Sequence, residues 1–166
     1  MAQARPRIKI QPEKPDKVLS IAGYCLLLAL WAMVLLNYSH LPETIPTHFN
    51  AAGQADNYGS KMSLFVLPVV ASILFVALTI LARYPHIFNY PVTITEENAG
   101  RHYRTAIRML NMIKTATIVL LSFTTFSIIS IANGRGEGLG AWFLPLELGL
   151  LFIPVTFFIV KMFRHP

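Results

Sequence analysis

The chain has 166 residues, 54% of them hydrophobic and 13% charged, with a formal net charge of +6 and one cysteine. That balance is too apolar for an ordinary water-soluble domain of this length, so a membrane protein is the first expectation. A single cysteine rules out an intrachain disulfide, and a basic surplus without any recognisable module argues against a nucleic-acid partner.

A bilayer core of roughly 30 Å needs about 20 apolar residues as helix, and four runs meet that requirement. The first, residues 18–38, follows a tail (residues 1–17) carrying Arg5, Arg7, Lys9, Lys14 and Lys17. It is too long for a secretory h-region, and no small-residue cleavage site follows it, which predicts a retained span. Cys25 lies within it as a small packing residue.

Residues 39–61 form a polar connection, LPETIPTHFNAAGQADNYGSK from Leu41 onward. Pro42 and Pro46 stop the helix and hold the chain extended. Gly53 and Gly59 allow positive φ, while Asn50, Asp56 and Asn57 suit side-chain-capped turns. So many conformational specifiers predict a compact, ordered cap.

Residues 62–82 form the second run, and residues 83–108 an inner elbow that opens on YPHIFNYP from Tyr84 to Pro91. Its Tyr-Pro pairs interrupt helix, and Thr93 with Glu96 has capping-box spacing, so a helix is predicted to start there. Glu97 and Arg101 are spaced for an i, i+4 pair, and the helix can run on into the third span, residues 109–132. Residues 133–141, containing NGRGEGLG, read as a short flexible hairpin without evident chemistry. The fourth run covers residues 142–160, before a basic tail at 161–166.

Basic residues crowd the first tail, the elbow and the last tail, whereas the two remaining connections hold one each, Lys61 and Arg135. The positive-inside rule then puts both termini and the elbow in the cytoplasm and residues 39–61 outside. Attraction to anionic headgroups accounts for the charge surplus.

Two places concentrate chemistry. In the outer connection, Glu43, His48 and Asp56 are of ligand or acid–base type, with His40 nearby. Their spacing fits no standard metal motif, and a hydrogen-bonded cap is the leading reading; Lys61 either snorkels to headgroups or pairs with Asp56. Glu147 lies about 8 Å inside the fourth span, where a carboxylate should face the bundle interior. With the hydroxyls of the third span it could floor a polar vestibule under the outer cap, or it could be a protonated, hydrogen-bonded group. On the inner side, His86, Asn89, Tyr90, Glu97, Asn98 and Arg101 form either a second binding surface or a folded elbow.

The residues Leu41-Pro42, Ile45-Pro46, His48-Phe49-Asn50, Gly53, Asp56, Gly59 and Lys61 resemble the signature of a bacterial membrane domain of unknown function. That domain forms the N-terminal half of Sdp-type toxin-immunity proteins. The resemblance implies that the motif sits in the first extracytoplasmic loop; this chain lacks the further spans and second domain of full-length members.

The expectation is therefore an all-α integral membrane protein of the bacterial inner membrane: a four-helix bundle with an ordered outer loop and an inner elbow. Its expected role is non-enzymatic binding of a ligand, peptide or protein partner, of the sensing or immunity type. Two alternatives stay open: an oligomeric transporter or channel subunit using Glu147, and a metal-dependent membrane enzyme centred on His48. No cofactor is predicted, with a divalent metal at His48 and Asp56 as the weak candidate.

Overall fold

The computed structural model describes residues 5–164; the ends of the two predicted tails lie outside the described residues. Four helices dominate: α1 (Lys14–Asn37), α2 (Val66–Leu81), α3 (Ala99–Ala132) and α4 (Phe143–Arg164). All four elements are long and apolar enough to cross a membrane, the second by counting the 3-10 turn Lys61–Phe65 that leads into α2.

Helix α3 is the hub, packing against α1, α2 and α4. Its 34 residues span about 51 Å at 1.5 Å each, about 20 Å more than an apolar slab of roughly 30 Å. The N-terminal part of that helix carries Arg101, Arg104 and Arg108. Close approach of α1 depends on Gly23, where an added Cβ would meet Phe75 of α2 at 3.1 Å. The indole of Trp31 on α1 donates to Ser72 Oγ on α2 at 3.0 Å, which ties the same pair of helices.

The helices' outward faces remain bare: Leu36 is 73% exposed and Ile153 69%. Exposed aliphatic surface of this extent is what a bilayer solvates and water does not.

The all-α expectation needs one correction. Residues within the polar connection form an antiparallel hairpin, β1 (Thr44–Phe49) and β2 (Ala55–Ser60), with Ile45 opposite Gly59 and Pro46 opposite Tyr58. Pro46, Asp56, Asn57 and Gly59 all disfavour strands intrinsically, so propensity gave no warning. Tertiary burial overrides it: Ile45 is fully buried in a cluster with Val34, Leu41, Leu64, Ile128 and Ile129. A register shift after Pro46 breaks the alternation, so that Ile45 and Pro46 both face inward while Thr47 and His48 face out.

Two local readings also change. Helix α3 starts at Ala99, not near Thr93, and the reciprocal side-chain bonding falls two residues later than predicted. There the Thr95 N–H donates to Asn98 Oδ1 at 2.9 Å and the Asn98 N–H to Thr95 Oγ1 at 3.3 Å. The second outer connection is no free hairpin either: Gln54 and Gly138 form a β-bridge, and the Leu139 N–H donates to Gly53 O at 2.7 Å.

Candidate functional site

The hairpin is built around Asn50. Its side-chain oxygen accepts from the N–H of Ala52 at 2.9 Å and of Gln54 at 3.1 Å, while its own N–H donates to Gln54 O at 2.9 Å. This is an Asx-type turn, so Asn50 shapes the tip. Gly53 follows with φ of 74°, packed so closely on Gly140 that a Cβ would overlap its backbone.

On the two strands His48 Nδ1 lies 2.6 Å from Asp56 Oδ1, with the side chains 66% and 41% exposed. Asp56 is thus engaged by the histidine, and the Asp56–Lys61 pair, one of the two alternatives for Lys61, does not form. Lys61 instead binds Glu43 at 2.9 Å and sits 5.2 Å from the centre of the Tyr38 ring. These contacts staple the base of the hairpin to the end of α1, with Phe49 packing beneath it against both apolar clusters. Tyr58, 56% exposed, completes the outward surface with His48 and Asp56. Among the described residues no group of three or more His, Cys, Asp or Glu side chains converges on one point.

Glu147 is half-buried on α4. Helical spacing puts it on the face of Phe143, Leu150 and Leu151, the face that packs against α3. It has no hydrogen bond or ion pair among the described residues. The third-span hydroxyls do not serve it: Thr115, Thr117, Thr124 and Thr125 each donate to a carbonyl one turn back on α3. The outer cavity near the hairpin, bounded by Phe123, Ser127, Ser130, Arg135, Gly138 and Trp142, does not reach Glu147.

At the inner end the candidates are mostly turned to structure. Tyr90 donates to Pro85 O at 2.9 Å, stacks near Tyr103 at 5.6 Å and lies under the Arg5 guanidinium. Burial and the neighbouring Tyr103 hold its phenol well above the ordinary tyrosine range, only partly offset by Arg5. Asn98 closes the turn before α3, accepting from the Thr95 N–H and donating to Thr93 O at 3.0 Å. Glu97 lies in the turn before α3 and Arg101 on its first turn, while Asn89 and His86 border separate cavities.

Sequence reading missed three features here. Asp16, only 6% exposed, accepts from Arg108 Nε at 2.8 Å and from the Glu13 N–H at 2.9 Å, and Glu13 binds Arg104 at 2.6 Å as well as Arg108. This cluster clamps the start of α1 to α3. Residues 5–12 run as an extended strap across the elbow: Arg5 donates to the carbonyls of His86 and Phe88, and the Tyr103 hydroxyl donates to Pro6 O at 2.9 Å. Among the described residues, Lys114, 3% exposed, is held by Thr79 Oγ1 at 3.1 Å and the Phe75 ring at 4.5 Å. Only Lys114 had a sequence signal, as a charge inside an apolar run.

Residues 25–71 match the family model described as "Domain of unknown function (DUF1648)". The segment takes in the C-terminal half of α1, the whole hairpin and the start of α2. A protein of Archaeoglobus fulgidus, described as uncharacterized, is 34% identical over 114 residues, an alignment covering 58% of this chain and 62% of that one. The chain therefore spans less than two thirds of this relative. No solved structure matches. Similarity to a membrane domain of unknown function is consistent with the motif in residues 41–61, while the link to toxin immunity stays with the resemblance.

Proposed function

We propose that the chain is a four-span protein of the cytoplasmic membrane, both termini and the elbow inside, whose outward hairpin recognises a peptide or protein partner. The role is of the sensing or immunity type and involves no covalent chemistry. One observation carries it: the hairpin is seated by the buried Ile45 and Pro46, yet leaves exposed the His48–Asp56 pair and, two residues along the same strand as Asp56, Tyr58. A seated hairpin that presents an aromatic ring and a hydrogen-bonded His–Asp pair has the make-up of an interaction hot spot. His48 is held by Asp56 through Nδ1 and Lys61 by Glu43, and among the described residues no third ligand-type side chain converges on either pair.

The orientation is supported by the separation of charge. Arg101, Arg104 and Arg108 share one end of α3 with the basic strap, and the hairpin packs at the other end, against Ile128 and Ile129. A cysteine at Ala52, in a Cys25→Ser background, should be modified by a membrane-impermeant maleimide from outside; labelling only after permeabilisation would reverse the topology. A photo-crosslinking residue at Tyr58 should give one discrete protein adduct in native cells that disappears with His48→Ala. Adducts with lipid alone would remove the recognition role.

A further inference from the structure

The inner end holds a cavity that the hairpin reading leaves unused. It measures about 880 Å³ and lies between the strap, the first turns of α1, the end of α2 and α3. That volume is typical of sites for small organic ligands, about 300–1,000 Å³.

Its wall is cationic. Arg7 and Lys9 come from the strap, Lys17 from α1, Arg83 from the end of α2 and Arg104 from α3. The acid in the lining is Asp16, and it is already bound to Arg108 at 2.8 Å. Among the described residues Arg7, Lys9, Lys17 and Arg83 have no carboxylate within ion-pair reach.

Asn111 also lines the cavity, and its side-chain amide makes no hydrogen bond among the described residues. Arg104 is bound to Glu13 through Nη1, which leaves four unpaired cations around one space, and these repel each other. An anion rich in acceptor oxygens relieves that repulsion and accepts from the Asn111 amide, and guanidinium groups suit phosphate in particular.

The remaining wall is apolar, with Ile8, Ile10, Ile21 and Ile107. Ile21 is 62% exposed on α1, so the cavity is continuous with the bare surface of that helix. Free phosphate would gain nothing from such a wall, whereas a phosphate bearing acyl chains would. On the proposed topology, the cavity lies at the depth of the inner-leaflet headgroups.

We propose that this cavity is a site for one anionic glycerophospholipid, its phosphate among Lys17, Arg83 and Arg104, its glycerol end near Asn111 and its chains leaving past Ile21. The inference rests on the membrane reading above but not on the identity of the hairpin's partner. Occupied, the site would join strap, α1, α2 and α3 through one ligand.

The full chain, purified in detergent, is exposed to micelles containing equal amounts of phosphatidylglycerol and phosphatidylcholine, and retained lipid is read by native mass spectrometry. One phosphatidylglycerol per chain is expected, at least tenfold over phosphatidylcholine. Retention should fall at least tenfold in Lys17→Gln/Arg83→Gln, whose side chains have no ion-pair partner to lose, and stay unchanged in Lys161→Gln at the far end of α4. If the double variant does not assemble, Asn111→Leu takes its place with the same expected loss. Equal retention of the two lipids, an equal loss in Lys161→Gln, or displacement of the lipid by millimolar inorganic phosphate would overturn the assignment. Micelles have no inner or outer leaflet, so this result is independent of the Ala52 labelling, and either proposal can fail without the other.

Discussion

The amide of Leu139 donates to the carbonyl of Gly53 at 2.7 Å, and with the Gln54–Gly138 bridge it joins the two outer connections across 86 residues of sequence. It forms because neither Gly53, with φ of 74°, nor its neighbours Gly138 and Gly140 carry a Cβ in the contact. Gly53→Ala should therefore cost about 1–2 kcal/mol from the left-handed backbone alone, with the overlap on Gly140 added. Hydrogen exchange over residues 138–142 should speed up about tenfold. Gly134→Ala is the control: its φ is 70° but nothing lies within 4 Å of the added methyl, so exchange at the Gly53 contact should not change.

The inner clamp should be worth more than its surface position suggests, since Asp16 is 6% exposed and also receives the Glu13 N–H. Asp16→Ala removes an acceptor from a buried arginine contact and a helix cap together, with an expected loss of about 2 kcal/mol. Thermal unfolding in detergent checks it. Asp16→Asn should recover part of the loss, because an amide oxygen still accepts from the backbone.

The His48–Asp56 pair should behave in the opposite way. With side chains 66% and 41% exposed, its coupling should stay below about 1 kcal/mol in a double-mutant cycle. His48→Ala should accordingly leave the melting temperature nearly unchanged while abolishing the Tyr58 crosslink, which separates recognition from stability.

Lys114 poses a different case, a cation 3% exposed whose polar partner is one threonine hydroxyl. Burying an ammonium costs several kcal/mol, which one neutral hydroxyl and a ring face do not fully return. Lys114→Met keeps the aliphatic length against Phe75 and should fold with equal or higher thermal stability. A fall of several degrees would mean that the charge itself holds α2 to α3.

Tyr90 gives the pH-dependent test. Burial, with Tyr103 beside it, pushes its phenol above the ordinary tyrosine value of about 10, so the unfolded chain ionises first as pH rises. The stability it contributes is complete below about pH 10 and is lost above that, towards the folded value. Tyr90→Phe should lose about 1 kcal/mol at pH 8 with the bond to Pro85, and should show a shallower decline between pH 9 and pH 11.

What was legible in the sequence follows from where the physics is local. Four apolar runs, their basic flanks and the helix stop at Pro42 are set by composition and backbone chemistry, so they can be read without knowing any contact. The hairpin was not legible, because Pro46, Asn57 and Gly59 disfavour strands and only the burial of Ile45 among residues from α1 and α3 outweighs them. Partner choice was equally closed: Lys61 lies five residues from Asp56 but meets Glu43, and Asp56 meets His48, since strand register and not sequence spacing sets the distances. The inner clamp and the cationic cavity draw on residues about 90 apart in the chain, such as Asp16 and Arg108. Periodicity carries information over a few helical turns, so contacts at that range are decided by how α1, α2 and α3 pack.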